Sequence, residues 1–299
     1  MKTLQFLLLS LCSWAFTGVL WSQQVPDTSF KYPIAQPRYA GGAGPLILVD
    51  AAHHNFHTPD NRFLAFAKLL RADGYRVEAN TKNFSAENLE KCKILVISNA
   101  INTVNEGNNW RLPNPSAFTE SEIQAVKNWV DGGGRLFLIA DHMPFAGAAT
   151  DLGKAFGFEF LNCFAMDNRQ RDIQYFHRGN KMLQSHEITN GIDTIVTFTG
   201  SAFKIPKSAK PILTLNETYT LLSPEIAWEF TESTPYRSAA GYSQLAALEY
   251  GKGHVFVSGE AAMFSAQLAG QNQTPMGMNA RYAQQNPQFL LNVIHWLDK

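Results

Sequence analysis

Histidine and carboxylate side chains gather at three places in this chain, each directly after a run of apolar residues. Asp50-Ala51-Ala52-His53-His54-Asn55-Phe56-His57 puts one carboxylate and three imidazoles into a single short segment behind Leu46-Ile47-Leu48-Val49. Asp141-His142 follows Leu136 to Ala140, and Glu260 follows His254 to Ser258 across Gly259. Imidazole with carboxylate suits a divalent metal such as Zn, Mn, Fe or Ni, and equally suits general acid–base work near neutral pH. On that chemistry His53, His57 and Asp141 are the expected metal ligands, His142 and Glu260 the catalytic pair, and Asp50 and Asn55 the groups that contact substrate. The competing reading is plain: a His-rich surface loop, with Asp141 and Glu260 capping helices. His53 and His57 would share a face only in a helix, which Phe56 and Pro59 argue against. No His-Glu-x-x-His zinc motif and no Gly-x-Ser-x-Gly nucleophile elbow occurs. Ser258 at a strand end could be a nucleophile but suits backbone capping better, and Gly132-Gly133-Gly134 lacks the Lys-Ser/Thr of a phosphate loop.

These residues can meet only if the apolar runs before them lie side by side. Leu46 to Val49 and Ile94 to Ile97 are continuous β-branched and leucine runs, the pattern of strands buried on both faces. Tyr75 to Ala79 and Leu136 to Ala140 are the other early strands. Between them, Thr58-Pro59 predicts a helix start, with Thr58 as N-cap, ahead of Phe63, Phe66, Ala67 and Leu70. Thr119-Glu120-Ser121-Glu122 is a capping box that opens a helix through Val130, and Ala146 to Phe156 predicts another. From about residue 162 to 242 the rhythm fails, which predicts a β-rich insertion with short strands at Ile195 to Phe198 and Ile212 to Leu215. A hairpin over Leu245 to Ser258 and an amphipathic helix over Asn286 to Leu297 end the chain. The fold class is therefore α/β, three-layered, with a mostly parallel sheet, and residues 45–299 form one domain. In such sheets ligands bind outside the carboxyl ends of the strands, where all three polar segments fall.

Met1-Lys2-Thr3 followed by the apolar run Leu4 to Leu20 reads as a signal peptide over residues 1–22, cleaved after Ser22, so a secreted or periplasmic protein is expected. Cys12 follows Leu11 rather than a small residue, which argues against lipidation. Residues 23–44 read as an extended lead-in. No later stretch is long and apolar enough to span a membrane. Lys plus Arg and Asp plus Glu stand at 25 each, without a basic cluster interleaved with aromatics, so nucleic acid is not an expected partner. Cys92 and Cys163 are too few for a disulfide scaffold or a cysteine-rich metal site, although one bond between them fits the composition. Arg169, Arg171, His177 and Arg178 form a charged cluster in the insertion, either a solvated face or an anion site.

Asp50 to Thr58, Ile139 to Ala149, Gly251 to Gln267 and the closing helix together resemble the class I glutamine amidotransferase-like superfamily, in an exported bacterial branch. The resemblance covers nearly the whole chain after the leader and implies a flavodoxin-like core. It also implies a nucleophilic Cys on a strand-to-helix turn, where this sequence has Asp141-His142. Cysteine-based glutamine hydrolysis is thus not expected. The expected function is an exported hydrolase-like enzyme, metal-dependent if the ligand set assembles, acting on a small polar or carbohydrate-derived molecule. The alternative is a non-catalytic module that binds a glycan or a protein.

Overall fold

The computed structural model describes residues 24–169 and 173–299; the leader expected over residues 1–22 lies outside them. Its central sheet is built from β1 (Leu46–Asp50), β2 (Arg76–Asn80), β3 (Ile94–Ser98), β4 (Arg135–Ile139), β5 (Glu159–Leu161), β6 (Ala202–Lys204), β7 (Lys210–Thr214), β8 (Ser243–Tyr250) and β9 (Gly253–Ser258). Strand order is β2-β1-β3-β4-β9-β8-β6-β5, with β7 also pairing β8. The β2, β1, β3, β4 and β9 strands run parallel; the strands beyond β9 are antiparallel. Parallel pairing places the carboxyl ends of β1, β3, β4 and β9 along one edge, and this alone brings distant segments of sequence together.

Alternation along each strand divides two cores. Ile47, Val49, Val96, Phe137, Ile139 and Phe256 face α1 (Leu64–Ala72) and the C-terminal helix Asn286–Leu297. Leu48, Leu95, Leu136, Leu138 and Val257 face the helix Glu120–Asp131 and the short helices Phe145–Ala148 and Thr150–Ala155. Helices on both faces explain why β1, β3, β4 and β9 are largely apolar, whereas the edge strand β2 leaves Arg76 and Glu78 exposed. Smaller antiparallel sheets flank this body. One joins Phe164–Asp167, Tyr219–Leu222 and Tyr236–Ser238, another joins Gln24–Pro26, Ala266–Ala269 and Thr274–Gly277, and Gln174–His177 pairs with Thr194–Thr197. Among the described residues no helix is long and apolar enough to cross a membrane.

Three local expectations are corrected. The helix expected from Thr58 begins at Leu64, because the Thr58 carbonyl accepts the N–H groups of Asn61 and Phe63 in a tight non-helical turn. The helix expected over Ala146 to Phe156 is two short helices meeting at Ala149. Cys92 and Cys163 are free and buried, each in the core on its own side of the sheet, so the intervening strands prevent a disulfide between them.

Gly200 illustrates how tightly the chain closes over the end of β9. Its φ is +113°, and a Cβ there would lie 2.5 Å from the Gly259 carbonyl oxygen and 2.6 Å from Gln244 Nε2. Only glycine fits both the left-handed backbone and that approach. Phe137, in the middle of β4, touches Phe66, Phe256 and Phe264 at ring distances of 6.4, 5.3 and 5.1 Å, joining α1 to β9 and the turn beyond it. Phe137→Ala is expected to cost about 3–5 kcal/mol of unfolding free energy, the range for a fully buried aromatic. Urea denaturation checks this, and a loss under about 1 kcal/mol would show that the two halves of this core do not depend on Phe137.

Candidate functional site

Each strand end contributes in a different way. Beyond β1, Asp50 is fully buried and its carboxylate holds His53 Nδ1 at 2.9 Å. On the other side of the ring, His53 Nε2 lies 2.9 Å from Glu122 Oε1, and Phe84 and Phe118 cover its faces at 4.6 and 4.9 Å. Burial works against a charge on His53, but the hydrogen bonds and charges of Asp50 and Glu122 outweigh it and raise the pKa. With a carboxylate oxygen 2.9 Å from each nitrogen, the imidazolium form of His53 donates on both sides. Glu122 is the same residue that closes the capping box, its Oε2 accepting from the Thr119 N–H at 3.0 Å and hydroxyl at 2.7 Å. His53 therefore rivets the β1 loop to the Glu120–Asp131 helix.

His57, four residues on, behaves in the opposite way. Burial, with Arg62 and His142 nearby, drives its pKa well down, so the ring is neutral. Its Nδ1 meets Ser98 Oγ at 3.2 Å, and Phe56 and Phe63 flank it. His54 sits in the left-handed region with φ +49° and pairs with Glu106 at the surface.

The end of β3 supplies Asn99, also left-handed at φ +49°. Its N–H donates to the Ile139 carbonyl at 3.0 Å, its carbonyl accepts the Phe56 N–H at 2.9 Å, and its side-chain oxygen accepts the Asp141 N–H at 3.0 Å. One residue thus ties the loops of β1 and β4 to β3. The end of β4 supplies Asp141, and His142 stacked on Phe164 at 4.5 Å with Trp228 edge-on at 4.8 Å. His142 Nδ1 lies 2.6 Å from the Met143 carbonyl, which leaves the lone pair on Nε2 when the ring is neutral. Beyond β9, Glu260 is almost fully buried, and its two oxygens accept the N–H groups of Ala262 at 3.0 Å and Met263 at 2.8 Å. Burial first, and then the negative charge of Asp141, push its pKa well above the usual carboxylate range. Ser258 caps the backbone here, donating to the Glu260 carbonyl at 2.5 Å and accepting the Glu260 N–H.

His57, Asn99, Asp141, His142 and Glu260 all line one cavity of about 760 Å³, walled by Phe56, Trp110, Phe145, Phe198 and Trp228. A cavity of this size, mostly aromatic with a few convergent polar groups, has the form of a small-molecule site. Four of the seven residues expected from sequence are in it: His57, Asp141, His142 and Glu260. Asp50 and His53 are instead committed to the buried bridge, and Asn55, bonded to the His53 N–H and the Ser98 carbonyl, lines a neighbouring cleft. The expected metal ligands do not assemble, since His53 has no nitrogen left for a cation. Among the described residues no three His, Cys, Asp or Glu side chains are placed to share a metal ion. Of the charged cluster in the insertion, Arg169 pairs with Asp167 and Arg178 donates to the Thr189 carbonyl, neither lining the cavity, while Arg171 lies outside the described residues. The cysteine thiols are inert by comparison, burial pushing both up to about 12.

No protein-family profile matches this sequence, and no curated protein sequence matches it. Solved structures do match its fold. The N-terminal domain of an intraflagellar transport protein, mmIFT52, superposes with a TM-score of 0.59 at 17% identity, covering 85% of this chain and 97% of that one. A ThuA-like protein from Bacteroides uniformis gives 0.48 at 12% identity over 89% and 94%. A GMP synthase component from Thermoplasma acidophilum gives 0.43 at 10% over 84% and 92%. At such identities the likeness is one of fold.

Sequence reasoning missed Asn99, Arg62, Trp110 and Trp228. Only Asn99 carried a signal, a polar residue just past a buried strand.

The two buried histidines load stability onto opposite sides of neutrality. The raised pKa of His53 means its contribution is fully present below the unfolded value of about 6.5 and fades as pH rises through the folded one. The lowered pKa of His57 takes stability away as pH falls below about 6.5, where only the unfolded chain gains the proton. Urea midpoints across the range from mildly acid to mildly alkaline are expected to fall less steeply on the alkaline side in His53→Gln, and less steeply on the acid side in His57→Gln. Slopes that match wild type in both would sink this assignment.

Asn99→Ala removes the acceptor of a buried N–H and puts an ordinary side chain in the left-handed region, for an expected loss of about 2–4 kcal/mol. Asn99→Gly keeps the backbone freedom and is expected to lose less in the same denaturation experiment.

Proposed function

We propose that this chain is a hydrolase-type enzyme that works by general acid–base chemistry on a small polar, carbohydrate-like molecule held at the strand ends. The observation that carries the reading is the presence of two buried carboxyls, Asp141 and Glu260, under aromatic walls, with the charge of the first helping to push the pKa of the second well up. Like charges in one dry site do not both ionise easily, so the pair divides into an acid and a base. Aromatic faces suit the apolar faces of sugar rings, and buried titratable groups suit proton transfer.

In this reading the protonated Glu260 gives its proton to the leaving oxygen as a C–O bond breaks. Water attacks the carbon and passes its proton to the Asp141 carboxylate or to His142 Nε2, and exchange with solvent resets the pair. Trp110, Trp228 and Phe145 hold the ring and exclude all but the reacting water, while Asn99 fixes Asp141 through its backbone. No step runs through a metal, because the donor set does not fit one. The order β2-β1-β3-β4-β9 agrees with a flavodoxin-like core, and the reading takes the chain as an amidotransferase-like protein without the nucleophilic Cys. Export through the leader in residues 1–22 belongs to the same proposal.

A non-catalytic glycan-binding role is the rival, favoured by Trp228, which is 42% exposed at the rim with φ +70°. Chromogenic glycosides assayed against wild type, Glu260→Gln and Asp141→Asn separate the two. Turnover by wild type, a drop of about 10²–10⁴-fold in either variant with binding retained, and activity that falls as pH rises through the Glu260 pKa are expected. Sugar binding without turnover in wild type would replace the enzyme by the binding module.

A further inference from the structure

Arg62 lies in the turn that replaces the first part of the expected helix, at the boundary between two concavities. It lines the cavity described above, and it lines a second cleft of about 700 Å³ together with His54, Asn55, Asn61 and Glu106. Phe56, Asn108 and Trp110 line both, so the two spaces adjoin at Arg62. The guanidinium carbon sits 3.8 Å over the Phe56 ring, and Nη1 makes a long 3.4 Å bond to the Phe56 carbonyl. Nε is buried without a hydrogen-bond partner. Among the described residues no carboxylate lies within ion-pair distance of Arg62.

A half-buried guanidinium without a counter-ion is costly, because one long hydrogen bond and the face of Phe56 replace only part of the water that burial removes. Such charges are ordinarily paired, and a planar guanidinium matches a carboxylate with two parallel hydrogen bonds. The rest of the cavity leaves the anion to be supplied from outside. His57 is neutral, its pKa lowered in part by Arg62 itself, and the charge of Asp141 acts on Glu260 instead.

We propose that the natural ligand carries a carboxylate that docks on Arg62, so that the site selects acidic sugars over neutral ones. This rests on the sugar-binding reading above and adds its specificity: the ring lies against Trp110 and Trp228, and the carboxylate points toward the second cleft. Placing the anion at Arg62 sets it at the cleft boundary, leaving the reacting end of the ligand to Asp141 and Glu260. Arg62 is a positioning and selecting residue, with no part in bond breaking.

Quenching of tryptophan fluorescence by glucuronate, glucose and cyclohexanecarboxylate tests this in wild type, Arg62→Met and Arg62→Lys, each variant first checked for a cooperative unfolding transition. Glucuronate is expected to bind wild type at least tenfold more tightly than glucose, and the preference is expected to fall with added salt. Arg62→Met is expected to erase the preference while glucose binding stays, and Arg62→Lys to keep part of it. Equal binding of glucuronate and glucose by wild type, a preference that survives in Arg62→Met, or no binding of either carboxylate overturns the inference. Arg62-dependent binding of both carboxylates without glucose binding upholds the anion site and removes the carbohydrate reading instead. Loss of turnover with the preference intact would touch only the catalytic reading.

Discussion

The left-handed backbone of Asn99 is the constraint on which the cavity depends. Three segments must meet where the parallel strands stop: the loop after β1, the end of β3 and the loop after β4. Asn99 binds them with an N–H, a carbonyl and a side-chain oxygen. A residue here has to tolerate positive φ and also offer a short acceptor, and asparagine does both. Ser201 continues the seam by donating to the Ala140 carbonyl at 2.8 Å, while the Ala140 N–H donates to the Ser258 carbonyl across to β9. Asp141 is thereby held on both sides, and its charge acts on Glu260 from a fixed place.

The fate of the three imidazoles shows why residue type does not settle chemistry. His53, His54 and His57 occupy one loop, yet one is buried between two carboxylates that favour its charged form, one is an exposed partner of Glu106 and one is buried where its neutral form is favoured. The difference comes from what faces each ring. Asp50 and the capping-box Glu122 bracket His53, so charging it completes two ion pairs; the aromatic rings and Arg62 around His57 make the same charge unfavourable. Glu122 is thus doubly used, closing the helix start and balancing the strand-end loop, which couples secondary structure directly to the shape of the site.

Much of the layered body was legible because its signals are local. Continuous apolar runs mark strands buried on both faces, Thr119 with Glu122 marks a helix start, and Asn286 to Leu297 is the helix its periodicity predicts. Where long-range pairing decides, the sequence is mute. Ala202–Lys204 is too short to announce itself, and the strand legible at Ile212 to Leu215, observed over Lys210–Thr214, carries no sign of its partner, yet both join the main sheet through β8. Thr58-Pro59 has the chemistry of a helix start, but a turn there holds His57 and Arg62 toward the cavity and delays the helix to Leu64. Four of the seven expected site residues converge because strand ends in a parallel sheet must share an edge. Arg62, Trp110 and Trp228 belong to no motif, and only the closed fold collects them.

The cavity concentrates features that cost stability: an uncharged buried histidine, a carboxyl pushed from its ordinary ionisation, a half-buried guanidinium and a left-handed Trp228. Each lowers the stability of the folded chain, because burial disfavours a charge and a left-handed backbone disfavours a side chain. None is needed to close the sheet, whose central parallel strands are already covered on both faces. Strain that contributes nothing to folding persists when the surrounding structure over-determines it, and here the surroundings are the two cores and the seam through Asn99. These costs cluster in one aromatic-walled space at the strand ends, the place where buried titratable groups with perturbed ionisation would serve the proposed acid–base reading.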